Sequence, residues 1–413
     1  MTGLALQEHF SSKPYLFFNQ NQLSITDNII YFQKNKNDIK NDKLETLRND
    51  LKSTLFEQGF IKNEDDIRNI QIAAKIKLLN ENPYPIKHFL KSVKKHAING
   101  NNIEPNKIKL EIRQVESGSE DEAIFRWWNS TWWSMPYQRP YGRQMRFIIW
   151  DTGHNAPFGL ISLQSPILKQ AVRDKYLQIP KAELDYWVNR SMYAQRVGAL
   201  PPYNYLIGGK LVALSLVSNE IKKAYYEKYR DKATLMNNRN IEPELLFITT
   251  SSAFGKSSLY NKLKYNDLYI AERLGFTEGY GSFQIPNELY NRLIEYLNSI
   301  GENTVRGYGG GPSKKLKLIG LACKRLGLAN YSYHGIKREY FLFSLVDNLK
   351  QVISKEEKAI YKNYSFYELF EYWKERWMRN RALSSTQWQS FNMDYYFDNV
   401  INSLNEGAIN ERR

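Results

Sequence analysis

An apolar run, Leu245-Leu-Phe-Ile248, empties directly into Thr249-Thr-Ser-Ser-Ala-Phe-Gly-Lys-Ser-Ser-Leu-Tyr-Asn-Lys-Leu-Lys-Tyr265. The run reads as a buried strand and commits the middle of the chain to a sheet. The residues after it gather hydroxyls, one glycine, three lysines and two tyrosines at the strand's end. Backbone N–H groups, hydroxyls and ammonium groups in one place suit an anion, and phosphate is the commonest anion that needs them. The spacing is not that of a nucleotide P-loop. Gly255-Lys256-Ser257 would require glycine at 250, where Thr stands. A polar surface turn with no ligand is the competing reading.

Charge points the same way as the loop. Lys and Arg number 58 against 43 Asp and Glu, a net charge of +15. A basic chain of this length favours a polyanionic partner, and its 29 tyrosines supply flat rings for stacking. Codon bias in an AT-rich genome also raises Lys, Asn, Tyr and Ile, and accounts for part of the excess. The single cysteine, Cys323, excludes a disulfide framework and an intrachain cysteine zinc site. The five histidines are scattered, so no metal site is expected, and His88 and His96 are expected to face solvent on a basic helix. No signal-peptide pattern opens the chain, and no apolar run approaches the ~20 residues of a membrane helix. A cytoplasmic protein that does not enter a membrane is expected.

Along the chain, Leu44, Leu47, Leu51 and Leu55 predict a helix over 38–60. Further helices are predicted over 63–79 and 86–98, the last carrying Lys87, Lys91, Lys94 and Lys95. Residues 107–115 alternate as a half-exposed strand. Phe125-Arg-Trp-Trp-Asn-Ser-Thr-Trp-Trp133 places four tryptophans in seven residues. One helix face cannot bury them all, so Trp127 and Trp133 are expected at a partner or domain interface. A hairpin is predicted over 146–163, a strand over 192–200, one long helix over 210–229, and a helix over 287–299. Arg306-Gly-Tyr-Gly-Gly-Gly-Pro-Ser-Lys-Lys315 leads into a helix over 316–326 and is a second phosphate-cradle candidate, with a flexible hinge as its alternative. Lys337-Arg338 precede a strand, 366–381 is an aromatic, basic helix, and the tail 400–413 is expected to fray.

This order of elements resembles the GNAT acyltransferase layout. In that family a glycine loop before the long helix holds the coenzyme A pyrophosphate. The aligned Tyr205-Leu-Ile-Gly208-Gly209-Lys210 keeps one matching glycine, so the coenzyme site reads as degenerate and no cofactor is expected. Over roughly 120–380 a closer resemblance is to the Druantia protein A (DruA) family. It is carried by Gly142-Arg-Gln-Met-Arg146, Pro201 to Gly209, Ala253 to Tyr265, Gly275-Phe-Thr-Glu-Gly-Tyr-Gly-Ser-Phe283, Gly309-Gly-Gly-Pro-Ser-Lys-Lys315 and His334-Gly-Ile-Lys-Arg-Glu339. The helices before 105 lie outside it. That resemblance implies a component of an anti-phage defence system that also contains a large helicase-like protein.

The expected fold is α+β: a GNAT-like central mixed sheet flanked by helices over 105–300, an N-terminal helical region over 1–104, and a basic, aromatic-rich C-terminal region over 301–413. The expected partner is DNA or another nucleic acid. The expected contacts are Lys256, Ser257, Ser258, Tyr260, Asn261, Lys262, Arg306, Ser313, Lys314, Lys315, Lys337 and Arg338, with Tyr260, Tyr265 and Tyr308 available for stacking. Two alternatives stay open. One is a GNAT-like transferase acting on a nucleobase, nucleotide or protein, for which Asp151 and Tyr260 are the nearest proton acceptors. The other is a structural subunit that recruits the helicase-like partner. No clustered Asp/Glu set supports a two-metal nuclease.

Overall fold

The computed structural model describes residues 36–57, 75–76, 79–80, 83–132, 140–234, 238–253, 255–281, 285–305, 314–328, 331–333 and 335–410. The chain divides into two compact units, 1–50 and 51–413. Helix α1 (Lys36–Glu57) begins in the first and ends in the second. Leu47, Leu51 and Leu55 recur every fourth residue along it and are buried. Most of the helix expected over 63–79 lies outside the described residues.

The second unit runs across the boundaries expected near 104 and 300. After the end of α1 its described elements include α2 (Tyr84–Lys95), β1 (Leu110–Gln114) and α3 (Glu120–Thr131), whose N-cap Ser119 accepts from the Glu122 N–H. The hairpin β2 (Gln144–Asp151) and β3 (Ala156–Gln164) comes after them. Next are α4 (Ala171–Tyr176), α5 (Leu184–Asn189), β4 (Ser191–Ala199), α6 (Gly208–Leu214), α7 (Asn219–Tyr229) and β5 (Phe247–Ser251). A small hairpin, β6 (Lys264–Tyr265) and β7 (Leu268–Tyr269), precedes β8 (Glu272–Phe276). The chain closes with α8 (Asn287–Ser299), α9 (Lys314–Arg325), β9 (Glu339–Ser344), α10 (Leu349–Ile353), α11 (Phe366–Trp373), α12 (Arg379–Ser384) and α13 (Met393–Asn410).

Seven strands form one mixed sheet in the order β1-β2-β3-β4-β5-β9-β8. The fold is therefore α+β with a central sheet flanked by helices, as expected, and the GNAT-like layout is compatible with it. Every neighbouring pair is antiparallel except β4–β5. A parallel pair needs a long crossover, which 200–246 supplies through α6 and α7. The β4–β5 pairing covers only Ser191 to Tyr193, after which β4 pairs with β3 alone. Side chains bridge the parting strands. Thr250 Oγ1 donates to the Ala194 carbonyl at 2.8 Å, and Tyr193 and Ser251 share a hydroxyl bond of 2.8 Å.

Strand alternation sorts the core into layers. Phe147 and Ile149 pack with α6, α7 and α11, while Ile148 and Trp150 pack with α2, α3 and α13. Both faces of β3 are covered, so its whole length is buried. A continuous apolar strand in the sequence is the consequence of that double cover.

Four expectations change. The helix expected unbroken over 210–229 is interrupted by a 3₁₀ turn at 215–217 and by Ser218, whose extended backbone lets its hydroxyl cap α7. The tail expected to fray from 400 is helical to Asn410, because Val400, Ile401 and Leu404 pack on the α2–α3 layer. His96, expected at the surface, is buried edge-on against Trp150 at 4.9 Å. Trp127, expected at a partner or domain interface, is fully buried within this chain. Its indole N–H donates to the Ile86 carbonyl at 3.1 Å, and its ring meets Trp128 at 5.0 Å and Phe397 at 5.3 Å. The second cover that the tryptophan cluster demanded is α13. Trp133 lies outside the described residues.

Candidate nucleic-acid interface

Strand β5 ends at Ser251, and the segment 252–263 then turns back over its neighbour β9. Gly255 makes the turn with φ of +50°, a backbone state in which a side chain is strained. The first residue of β9, Glu339, holds the turn. Its N–H donates to the Gly255 carbonyl at 3.0 Å and to Ser252 Oγ at 3.1 Å. Its carboxylate, 2% exposed, accepts from the Ser257 N–H at 2.7 Å, Asn261 Nδ2 at 2.7 Å and Arg273 Nε at 2.8 Å. Burial alone would raise the pKa of this carboxyl. The Ser257, Asn261 and Arg273 donors outweigh burial and hold it below the usual carboxylate range.

A lysine braces the other side. Lys210 Nζ donates to the Leu259 carbonyl at 2.6 Å and more weakly to that of Ser258 at 3.4 Å. Burial, with Lys262 close by, pushes the Lys210 ammonium down to about 8. Gly209, which the acyltransferase layout would set against a pyrophosphate, faces Leu259: a Cβ there would lie 3.4 Å from Leu259 Cδ1.

The expected contact residues therefore separate into two groups. Lys256, Ser258 and Lys262 are exposed on the clamped loop. Ser257 and Asn261 are turned inward, their donors taken up by Glu339 and by the turn itself. Tyr260 is 5% exposed and packs on Phe341 at 5.1 Å and Phe343 at 5.7 Å, which leaves no ring face for a base. Tyr265 is held against Tyr364 and Tyr372 at 5.1 and 4.9 Å. The Glu339–Gly255 bond brings exposed Lys337 to the same end of the β5–β9 pair as Lys256. Arg338 beside it is half-buried, and its N–H donates to Thr277 Oγ1 at 3.0 Å. On α9, Lys314 is exposed. Lys315 is engaged by Asn287 Oδ1 at 3.2 Å and by the Tyr290 ring at 4.8 Å. Arg306, Tyr308, Ser313 and the rest of the glycine loop lie outside the described residues.

The proton acceptors considered for a transferase are not placed for that work. Asp151 is fully buried in the β2–β3 turn. Its Oδ2 accepts from Tyr203 OH at 2.9 Å and His154 Nδ1 at 2.7 Å, and its Oδ1 from the N–H groups of Lys109 and Gly153. His154 Nε2 in turn accepts from the Glu104 N–H at 3.0 Å, so both ring nitrogens are used in holding the turn. Burial and the adjoining Asp151 charge raise the Tyr203 phenol well above its ordinary range. Among the described residues, no group of His, Cys, Asp and Glu is arranged to hold a metal ion. Burial pushes the Cys323 thiol up to about 12. No helix among the described residues is long and apolar enough to cross a membrane.

Residues 62–355 match the family described as Druantia protein DruA. The chain belongs to that family. The Druantia protein DruA of Escherichia coli (strain UMEA 4076-1) is 32% identical over 313 residues, covering 75% of this chain and 77% of that one. No solved structure matches. The match begins at 62, so part of the N-terminal region expected outside the resemblance lies within it. The 252–263 loop, the β6–β7 hairpin and Glu339 all belong to the family region, whereas α11 to α13 lie beyond it.

Two residues that shape the candidate site are hidden in the sequence. Glu339 shows there only as part of a basic turn, because its partners lie 66 to 82 positions away. Lys210 stands out as a misfit in a glycine loop, and that misfit is the signal. It fills with an ammonium group the place where the acyltransferase layout keeps a small residue.

Proposed function

We propose that the chain is a component of a Druantia anti-phage defence system, acting beside the helicase-like protein that the family resemblance implies. In this reading it holds the phosphate backbone of a nucleic acid on Lys256, Ser258, Lys262 and Lys337, and it uses no cofactor. One observation carries the reading: Lys256 and Lys262 are exposed on a loop whose shape a buried carboxylate fixes, and exposed Lys337 stands at the same end of the β5–β9 pair as Lys256. A clamped loop loses little entropy when a polyanion docks, and contacts of this kind position a backbone without reading its sequence.

Fluorescence anisotropy with labelled single-stranded and duplex DNA across a salt series tests it. Affinity should fall steeply with salt. The double variant Lys256→Ala/Lys262→Ala should flatten the log–log slope by about 1.4–1.8, the release expected for two phosphates. Absent binding, or binding indifferent to salt, would overturn the reading.

Lys210 adds a pH dependence. Its ammonium, at about 8, discharges in the free protein between pH 7 and 9. A phosphate docked beside Lys262 favours the charged form, so binding takes up a proton. Affinity should therefore fall as pH rises from about 7 to 9, by at most about tenfold per pH unit. Lys210→Met should remove that part of the fall.

A further inference from the structure

Phosphate holding leaves the hairpin after the clamped loop without a role. β6 and β7 pair with Lys264 opposite Tyr269 and Tyr265 opposite Leu268. The two turn residues, Asn266 and Asp267, have φ of +46° and +63°. That left-handed pair matches the twist of a two-residue hairpin and makes it stiff. Its base is buried: Leu263 is 0% and Ile270 4% exposed, joined by an Ile270 N–H bond to the Leu263 carbonyl at 3.0 Å. Tyr265 fastens one face to Tyr364 and to Tyr372 of α11.

The tip is the opposite. Leu268 is 63% and Tyr269 62% exposed, on opposite faces of β7. Among the described residues no ring stacks on Tyr269, and the Lys264 ammonium lies over one of its faces, 4.6 Å from the centroid. Lys262 and Lys264 precede the tip within a few residues, while the carboxylates near the hairpin are Asp267 at the turn, Glu272 just after it and Glu368 beside Tyr265. A flat ring on an anchored support beside a cation is an arrangement by which proteins hold single strands, since every base has a π-face. Two exposed apolar residues on opposite faces of a short finger are too small to be a protein interface by themselves.

We infer that the β6–β7 tip is a stacking element for unpaired nucleobases, with Tyr269 carrying a base and Lys264, on the same face of the hairpin, meeting the adjoining phosphate. The inference rests on the proposed nucleic-acid reading and names its ligand as single-stranded.

The test uses the full chain and three probes: oligothymidylate, the same strand in a duplex, and inorganic polyphosphate, which has charge but no bases. Tyr269→Ala should weaken oligothymidylate binding about tenfold, the loss of one stacked base at about 1.4 kcal/mol. It should leave the salt slope and polyphosphate binding unchanged, and Tyr269→Phe should bind like the wild type. Because the ring is exposed, the thermal melt of both variants should match the wild type, which separates a binding loss from a folding one. If the wild type binds oligothymidylate but Tyr269→Ala binds it equally well, the stacking role is wrong while the phosphate reading stands. An equal loss for polyphosphate, or tighter binding of duplex than of single strand, also overturns it. If the wild type binds none of the three, the nucleic-acid reading itself fails.

Discussion

Glu339→Ala is expected to destabilise the protein by about 2–5 kcal/mol, because it leaves two part-buried donors without their acceptor. The Ser257 N–H and the Asn261 amide lose their acceptor in a part-buried setting, at about 1–3 kcal/mol each. Arg273 is half exposed, so water takes over most of its share. A urea titration reads the loss as a lower midpoint with an unchanged slope. The same variant should weaken polyanion binding even though Glu339 is an anion, since the loop that aims Lys256 and Lys262 is released. Tighter binding, as simple charge removal would give, would show that the carboxylate does not organise the loop. The clamp also has an acid limit. The folded carboxyl sits below its unfolded value, so its contribution is complete above the ordinary glutamate value of about 4.3 and fades as pH falls through the depressed folded value. Glu339→Gln, which does not ionise, should flatten that acid dependence.

Trp127→Ala is expected to cost about 3–5 kcal/mol, the usual loss for emptying a fully buried aromatic site. The indole is 0% exposed, fastens α3 to α2 through the Ile86 carbonyl, and touches Phe397 of α13. Removing it opens a cavity where three helices meet and takes away the bond from α3 to the Ile86 carbonyl. Thermal unfolding should shift downward without any partner present. A variant as stable as the wild type would mean that α13 does not close over the ring, and would restore the interface expectation. The stacked pair Trp128–Tyr396, 5.5 Å apart, predicts the same dependence on the last helix.

Local pattern is enough for much of the fold. The β2–β3 hairpin, α3 with its Ser119 cap, α8 and β9 are legible because their signals lie within a few residues: alternation, a capping hydroxyl, an amphipathic repeat. The interruption at Ser218 is not, because an apolar stripe continues through it, and only the capping bond between the Ile221 N–H and the Ser218 hydroxyl marks the break. The cover over the tryptophans is hidden for a different reason. Trp127 and Phe397 are 270 residues apart, and no periodicity spans that separation.

The candidate site divides along the same line. The sequence by itself determined that the segment after β5 is basic, polar and turn-forming, and that Lys256 and Lys262 belong to it. Tertiary structure alone decided which of its groups face outward. Ser257, Asn261 and Tyr260 look like ligand contacts in one dimension, yet the carboxylate of Glu339 and the rings of Phe341 and Phe343 claim them. The reason is energetic. A buried carboxylate must be met by donors, and the donors nearest in space to Glu339 come from that loop. The lysines are left exposed because an ammonium group without a buried acceptor is more stable in water. Composition can count the charges, but pairing across the sheet settles which of them remain for a partner.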